Sequence, residues 1–557
     1  MTTNINTTPF TAGRVLVDSL RLHGVDRVFC VPGESYLEVL DALHDLSDEI
    51  ELVVAKHEGG AANMAEADGK LTGRPGICMV TRGPGATQAS VGVHIAQQDS
   101  TPMILFVGQV STDQTGRDVF QEVDYVSMFG KLAKWVVEVT DASRMAEIIA
   151  RAFHVAVSGR PGPVVVALPE DMLVAPSSVP AHRSTDLESA EPSALAITKV
   201  KALLAAARKP FLMVGGSGWT ADACRDIAEF SAKWNIPVAS TFRRQDIVDN
   251  RQVQYMGHLS LGMNPALAER LGTADVVLAV STRISDVATD GYTLMAAPNS
   301  CQKLIHFHPD AQEIGRVFRP EIGLAISPVV AAASLAALAA PEQIAWDGWT
   351  ASARNAYLTF SSLSQPDPSS TGVDLASAMQ QMRQALPTDA IVTNGAGNYA
   401  VWLHRFFEYR AHRTQLAPTC GAMGYGLPAA IAAALRYPEK QVVAVAGDGC
   451  FMMYPQELAT AAQYGARLTV MVVNNGMYGT IRMHQEKQYP GRISGTKLAG
   501  PDYVTLAKSF GAHAERVSQT EDFAGAFARA RAHNGISLLE LVTDPKQLTP
   551  TIRISDG

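Results

Sequence analysis

Six cysteines are few for 557 residues, and they stand singly at Cys30, Cys78, Cys224, Cys301, Cys420 and Cys450. With no CxxC pair and no histidine at metal-ligand spacing, the pattern excludes a disulfide framework and a zinc ribbon. The thiols are expected to be reduced and mostly in the core. Long hydrophobic runs are also missing. The most apolar window, Ala325 to Ala340, is broken by Ser327, Pro328 and Ser334, so it reads as a soluble helix rather than a membrane span. Positive charge is in deficit, with 46 Lys plus Arg against 54 Asp plus Glu and a formal net charge of −8. No long basic run marks a nucleic-acid surface. From Met1 to Thr11 there is neither a basic flank nor an apolar stretch, which gives no sign of a presequence and predicts a cytoplasmic protein.

What is present is an ordinary globular composition, 47% hydrophobic and 18% charged, long enough at roughly 150 residues per domain for about three or four domains. Short runs rich in Val, Ile and Leu alternate with helical patterns throughout, the mark of parallel sheets covered on both faces. Three α/β domains with open parallel sheets are expected, at residues 1–175, 193–345 and 371–557. Polar, Pro- and Ser-rich linkers are expected at 176–192 and 346–370. No short-period repeat is visible, and three blocks of similar size suggest duplication.

The third block carries the strongest chemical signal. A strand at Gln441 to Ala446 runs into Gly447-Asp448-Gly449-Cys450, and after a helical stretch a strand at Leu468 to Val473 runs into Asn474-Asn475. In a parallel sheet both strand ends emerge on one edge, where such sheets bind ligands. Asp448 and Asn475 would then offer one carboxylate and one amide oxygen to a single point, a hard and under-filled donor set that suits Mg²⁺ completed by phosphates and water. The flanking glycines let backbone N–H groups approach a phosphate. Either half alone is common as a turn or a loop cap; their spacing and strand context together carry the reading.

This pair of motifs resembles the diphosphate and Mg²⁺ motif of thiamine-diphosphate enzymes, and the resemblance extends over nearly the whole chain to the acetolactate synthase-like group. It implies Mg²⁺ ligation by Asp448, Asn475 and the carbonyl of Met477. In KHEGGAANMAEADGKLTGRPG, Glu58 follows a strand at Glu51 to Val54 and is similar to the glutamate that hydrogen-bonds the cofactor's aminopyrimidine. Met423 in GAMGYGLPAA resembles the apolar residue that wedges the cofactor into its bent shape. Thr81 to Thr87 (TRGPGAT) and Phe120-Gln121-Glu122 resemble the loops beside the reacting centre, with Gln121 as a polar contact. His57, Gln121, Tyr478 and His484 are candidates for proton handling, although His57 reads equally well as a satisfied core histidine. The resemblance also implies a homodimer or homotetramer with its active site at the subunit interface.

Three departures bear on the substrate. His484 stands where the biosynthetic synthases carry a tryptophan, Val287 where they carry an arginine, and Gly395-Ala396-Gly397-Asn398 where their diphosphate loop has a Gln-His pair. That loop and Asn475-Gly476-Met477-Tyr478 look closer to the oxalyl-CoA decarboxylase and 2-hydroxyacyl-CoA lyase group. In the middle block Gly216-Ser217-Gly218-Trp219-Thr220-Ala221 matches a dinucleotide turn, but no acidic residue follows the next strand at Val238 to Ser240. Arg243-Arg244 can engage phosphates, yet a loop pair of this kind is usually solvent-facing. FAD, as in the synthases, and ADP or CoA, as in the CoA enzymes, both stay open. The expected function is a thiamine-diphosphate- and Mg²⁺-dependent carboligase acting on 2-keto acids, a small-molecule enzyme with no nucleic-acid or membrane partner. A 2-keto acid decarboxylase or acyl-CoA lyase stands second, and a flavin or nicotinamide oxidoreductase stands third.

Overall fold

The computed structural model describes residues 10–185, 188–365 and 369–554 and contains three six-stranded sheets. Every strand pairing inside those sheets is parallel. The first is built from β1 (Arg27–Cys30), β2 (Glu51–Val54), β3 (Gly76–Val80), β4 (Met103–Gln109), β5 (Trp135–Glu138) and β6 (Pro163–Pro169), in the order β2-β1-β3-β4-β6-β5. The middle sheet holds β7 (Pro210–Val214), β8 (Val238–Thr241), β9 (Tyr255–Leu259), β10 (Val276–Val280), β11 (Lys303–His308) and β12 (Ile322–Ala325), in the order β9-β8-β7-β10-β11-β12. In the third, β13 (Ile391–Asn394), β14 (Gln415–Leu416), β15 (Val442–Gly447), β16 (Leu468–Asn474), β17 (His513–Val517) and β18 (Ile536–Val542) follow the order β14-β13-β15-β16-β18-β17.

The first and third sheets thus share one strand order, while the middle one has the order of dinucleotide-binding sheets. In all three the chain reverses direction of winding beside the first strand, which opens a crevice at the carboxyl ends of two neighbours. Central strands such as β4 (MILFVGQ) and β6 (PVVVALP) are buried along their whole length, because helices cover both faces. The strands that the sequence pattern did not reveal lie mostly at or near the edges. β5, β12 and β17 are partly exposed, so their apolar residues do not form a continuous run.

The helix Glu58–Thr72 is buried on nearly every face, and its Ala and Gly residues allow close packing: a Cβ added at Gly92 of the helix Pro84–Asp99 would lie 2.4 Å from Ala62 Cβ. By density of contacts the chain forms two compact units. One contains the first sheet together with Ala459–Tyr464, and the other contains the middle and third sheets. In the first unit the Tyr464 hydroxyl accepts the Val54 N–H at 2.7 Å and donates to the Leu52 carbonyl at 3.1 Å, tying down the edge strand β2.

In the second unit a buried polar seam joins the middle and third sheets. Asp246 Oδ2 accepts the N–H groups of Thr414 (3.1 Å) and Gln415 (3.3 Å), and Asn250 pairs with Tyr409 in both directions through its side-chain and backbone groups, each bond 2.9 Å. Arg243 donates to the carbonyl of Pro418. The Arg243-Arg244 pair therefore does not face solvent, since both side chains are buried. Each burial removes a charge from water, which is tolerated only because the guanidinium finds partners inside.

The segment 346–370 also departs from its reading as a linker. Residues Asp347–Ser361 form a helix, with Trp346, Thr350, Ala353 and Tyr357 buried at helical spacing. Trp346 Nε1 and Thr350 Oγ1 both donate to the carbonyl of Asn235, and the Tyr357 ring meets Tyr255 edge-on, so this helix packs on the middle sheet. Its inward residues are spaced widely among Ser, Thr and Asn, which hid the stripe. Residues 366–368 of that segment and 186–187 of the segment 176–192 lie outside the described residues. Four of the six cysteines are buried, Cys420 is half-buried and Cys301 is exposed; all are free thiols. No helix among the described residues is long and apolar enough to cross a membrane.

Candidate functional site

Candidate residues gather at two crevices, in the first and third sheets, where the strand order predicts them. In the first sheet the crevice lies between β1 and β3. There Ser35 Oγ and Thr81 Oγ1 are 3.0 Å apart, and a Cβ on Gly33 would lie 2.4 Å from Thr81 Cβ. Glu58 is the first residue of the helix that follows β2 and is half-buried. Its Oε1 lies 3.7 Å from where a Cβ on Gly85 would stand, so the carboxylate faces the TRGPGAT loop. Gln121 reaches the same loop from the other side. Its backbone presses on Gly83, it adopts a left-handed φ of 65°, and its side-chain Oε1 is buried without a hydrogen-bond partner. A buried amide oxygen without a partner is unusual, and here it stands by the TRGPGAT loop that Glu58 also faces. Phe120 next to it is 73% exposed. Glu122 stabilises the loop by accepting the N–H groups of Gly116 and Val119.

His57 has a structural task here. It is the N-cap of the helix that begins at Glu58, with Nδ1 accepting the Gly59 N–H at 2.9 Å and its carbonyl accepting Ala61 N–H at 3.0 Å. That commits Nδ1 as an acceptor and fixes the turn that aims Glu58.

In the third sheet the crevice lies between β13 and β15, where Gly395-Ala396-Gly397-Asn398 and Gly447-Asp448-Gly449-Cys450 leave adjacent strands. The loops touch so closely that a Cβ on Gly395 would lie 2.5 Å from Cys450 Sγ. Asp448 is 4% exposed; its Oδ1 accepts Gly449 N–H at 2.8 Å and its Oδ2 accepts Gly476 N–H at 2.9 Å. Through Gly476 the Asp448 carboxylate is therefore beside the loop that leaves β16 with Asn475, whose own Oδ1 accepts the Met477 N–H at 3.2 Å. The Met477 carbonyl accepts Gly479 N–H at 3.0 Å and keeps a second lone pair. Burial pushes the Asp448 carboxyl up to about 6, with the N–H groups of Gly449, Gly476 and Met477 pulling it back down. A buried carboxylate without a cationic neighbour fits a bound cation. Among the described residues no group of three or more His, Cys, Asp and Glu forms a metal cluster. The donors are one carboxylate, one amide and one carbonyl, all oxygen, and they fit Mg²⁺ rather than Zn²⁺.

The remaining expected site residues divide. Tyr478 lies against this crevice, and a Cβ on Gly449 would meet its ring at 2.6 Å. Met423 is half-buried in a turn whose next residue, Gly424, has a φ of 82°. Asn398 turns its amide away from the loop and toward the helix Gly479–Gln488, accepting from Thr480 Oγ1 at 2.8 Å and contacting Met483 Sδ at 3.8 Å. His484, on that helix, is exposed. Two residues that the sequence did not single out belong to the site: Thr480, which holds Asn398, and Tyr399, whose hydroxyl accepts the Gly395 N–H at 3.0 Å. Thr480 could have been suspected from its place five residues after Asn475. Tyr399 carries no such signal, because an aromatic early in a helix reads as core.

Replacing His57 by alanine should lower stability by about 1 kcal/mol in denaturant unfolding, while His57→Asn, which keeps a capping acceptor, should stay near wild type. Equal unfolding midpoints for all three proteins would remove the capping role.

Comparison with known proteins agrees with this geometry. Three family profiles match, described as the N-terminal TPP binding domain (residues 10–128), the central domain (197–337) and the C-terminal TPP binding domain (395–541) of thiamine pyrophosphate enzymes. The chain is 32% identical to the acetolactate synthase large subunit of Corynebacterium glutamicum, over 94% of this chain and 85% of that protein. It is 31% identical to the acetolactate synthase isozyme 2 large subunit of Escherichia coli, over 95% of each. It is also 31% identical to the mitochondrial acetolactate synthase catalytic subunit of Saccharomyces cerevisiae, over 96% of this chain and 81% of that one. Likeness on this scale, running through all three sheets, means that the chain belongs to the thiamine pyrophosphate enzymes, within their acetolactate synthase-like group.

Proposed function

We propose that this enzyme is a carboligase that joins 2-keto acids with the help of thiamine diphosphate and Mg²⁺. The observation that carries the reading is the convergence at the carboxyl edge of the third sheet, where buried Asp448 and the Asn475 loop meet through the Gly476 N–H at 2.9 Å. Asp448, Asn475 and the Met477 carbonyl would hold the metal, and the metal the diphosphate. Bound thiamine diphosphate supplies the electron sink that lets a C–C bond beside a carbonyl break or form. Glu58 would hold or release a proton at the aminopyrimidine ring, at an angle set by the His57 cap. Gln121 Oε1, buried and unpaired, would accept a hydrogen bond from the hydroxyl that the keto oxygen becomes when it takes up a proton. Phe120 beside it would help keep water out.

Decarboxylation or acyl-CoA cleavage is the second reading, favoured by the Gly395–Asn398 loop and by Val287 and His484 in place of groups that select the acceptor. One experiment separates the two. Purified protein given pyruvate, Mg²⁺ and thiamine diphosphate should release CO₂ and form acetolactate, and Glu58→Gln should lower turnover on the order of 10² or more. A free aldehyde as product would favour the second reading, and wild-type turnover in Glu58→Gln would remove Glu58 from the chemistry.

The resemblance to thiamine-diphosphate enzymes implies an active site completed by a second copy, with Glu58 supplied by one copy and Asp448 by the other. Glu58→Gln and Asp448→Ala should each be nearly inactive. Co-refolded in equal amounts they should recover about a quarter of wild-type activity, since half the dimers then hold one intact site of two. No recovery would mean that both halves come from one chain.

The middle sheet supports a bound nucleotide. It has the dinucleotide strand order, and at its crevice the loop after β7 meets the loop after β10 so closely that a Cβ on Gly216 would lie 1.7 Å from the Ser281 carbonyl. FAD is the first choice, given the likeness to acetolactate synthases, and ADP or CoA the second. Heat-denatured protein should release a yellow flavin in the first case and a colourless adenine nucleotide in the second; release of neither would refute a nucleotide.

A further inference from the structure

The side chain that organises the cofactor-binding edge of the third sheet is one that neither motif contains. Tyr399 opens the helix Tyr399–Phe406 and is buried. Its ring forms a floor beneath two loops: a Cβ on Gly397 would lie 2.9 Å from it, and a Cβ on Gly447 would lie 3.0 Å from it. The hydroxyl accepts the Gly395 N–H at 3.0 Å, so its own proton is free to point elsewhere. Cys450 Sγ, at 3.4 Å, is the acceptor within reach. That sulfur also accepts the Gly424 N–H at 3.2 Å. Burial and the neighbouring sulfur hold the phenol well above its ordinary range, so it stays protonated and able to donate.

Three segments are thereby joined at one pair of atoms. They are the loop after β13, the turn that presents Met423, and the loop after β15 that presents Asp448. The Gly395–Asn398 loop has no charged or imidazole side chain to grip a diphosphate, and its one amide is engaged by Thr480. Binding then falls to backbone N–H groups, such as those of Ala396 and Gly397, and these are useful only if the backbone is held in place. We propose that Tyr399 and Cys450 act as a positioning pair that sets the diphosphate loop, the Met423 turn and the metal loop in register for the cofactor. The inference rests on the cofactor reading above and adds to it the residues that make the site ready before the cofactor arrives.

Calorimetric titration of the full-length apo protein with thiamine diphosphate in excess Mg²⁺, with steady-state kinetics on the same preparations, tests the pair. Tyr399→Phe keeps the ring and removes only the hydroxyl, so it should raise the cofactor Kd and KM about five- to tenfold, with kcat at saturating cofactor within about threefold of wild type. Cys450→Ala should do the same. Cys450→Ser, which keeps an acceptor, should lie near wild type. The double variant Tyr399→Phe/Cys450→Ala should bind no more weakly than the poorer single one, since groups that act as a unit are lost together. An unchanged Kd in Tyr399→Phe would overturn the proposal, even with a lowered melting temperature, because that result describes a purely structural tyrosine. Effects that multiply in the double variant would overturn it as well. Absence of cofactor binding by the wild-type protein would refute the underlying cofactor reading and is recognised by the wild-type titration itself.

Discussion

The parallel pairing of β15 with both β13 and β16 is the constraint on which the third domain's chemistry depends. Register is fixed along these strands, with Asn394 opposite Val445 and Gly447 opposite Val473. Three loops must therefore leave the same edge, with neighbouring strands about 5 Å apart. An antiparallel neighbour would send one of them to the opposite edge, and Asp448 would be buried with nothing to offset the loss of water. The hydrophobic runs that make β15 and β16 central strands are thus also what brings a carboxylate and an amide to one edge of the sheet. Folding and ligand placement are here a single event.

Much of this was legible in the sequence, for a physical reason. Central parallel strands are buried on both faces and show as unbroken apolar runs, so β4, β6, β10, β15 and β16 stand out in the sequence, and Asp448 and Asn475 follow directly on the ends of β15 and β16. Edge strands are half-exposed and give weaker runs, which hid β5, β12 and β17. The helix Asp347–Ser361 was missed because only one residue in three or four along it is buried. Glu58, Asp448 and Asn475 stand out in the sequence by the motifs around them, and the structure places each just past the carboxyl end of a strand. The residues that hold them in place do not stand out. His57 as a cap, Thr480 as the partner of Asn398 and Tyr399 as a floor act through contacts between segments that are far apart in the chain or ambiguous locally. Their residue types are common in ordinary cores and helix termini.

The polar seam between the middle and third sheets gives the middle domain a stake in the site. Arg243 leaves β8 in a left-handed conformation with a φ of 60°, which is costly for a side chain of this kind, and ends on the carbonyl of Pro418, five residues before Met423. Beside it the rings of His258 and His404 lie edge to face, both buried, with burial holding the His258 imidazole down at about 4 and therefore neutral. The loop after β8 in the middle sheet and the segment that leads to Met423 in the third sheet are thus tied at one junction. A structural nucleotide can matter to such an enzyme without entering its reaction.

The helix Gly479–Gln488 has no buried residue, yet it follows directly on the loop that leaves β16 and is held to the Gly395–Asn398 loop by the Asn398 amide. Substitutions along it cost little folding free energy, because no core contact is lost. It is therefore the part of the site most open to evolutionary drift. Ile481, His484 and Gln488, all exposed, can be exchanged while the sheet and the loop that leaves β16 stay as they are. In an enzyme whose hard chemistry is delegated to its cofactor, that is where new substrates can be acquired without first surrendering the fold.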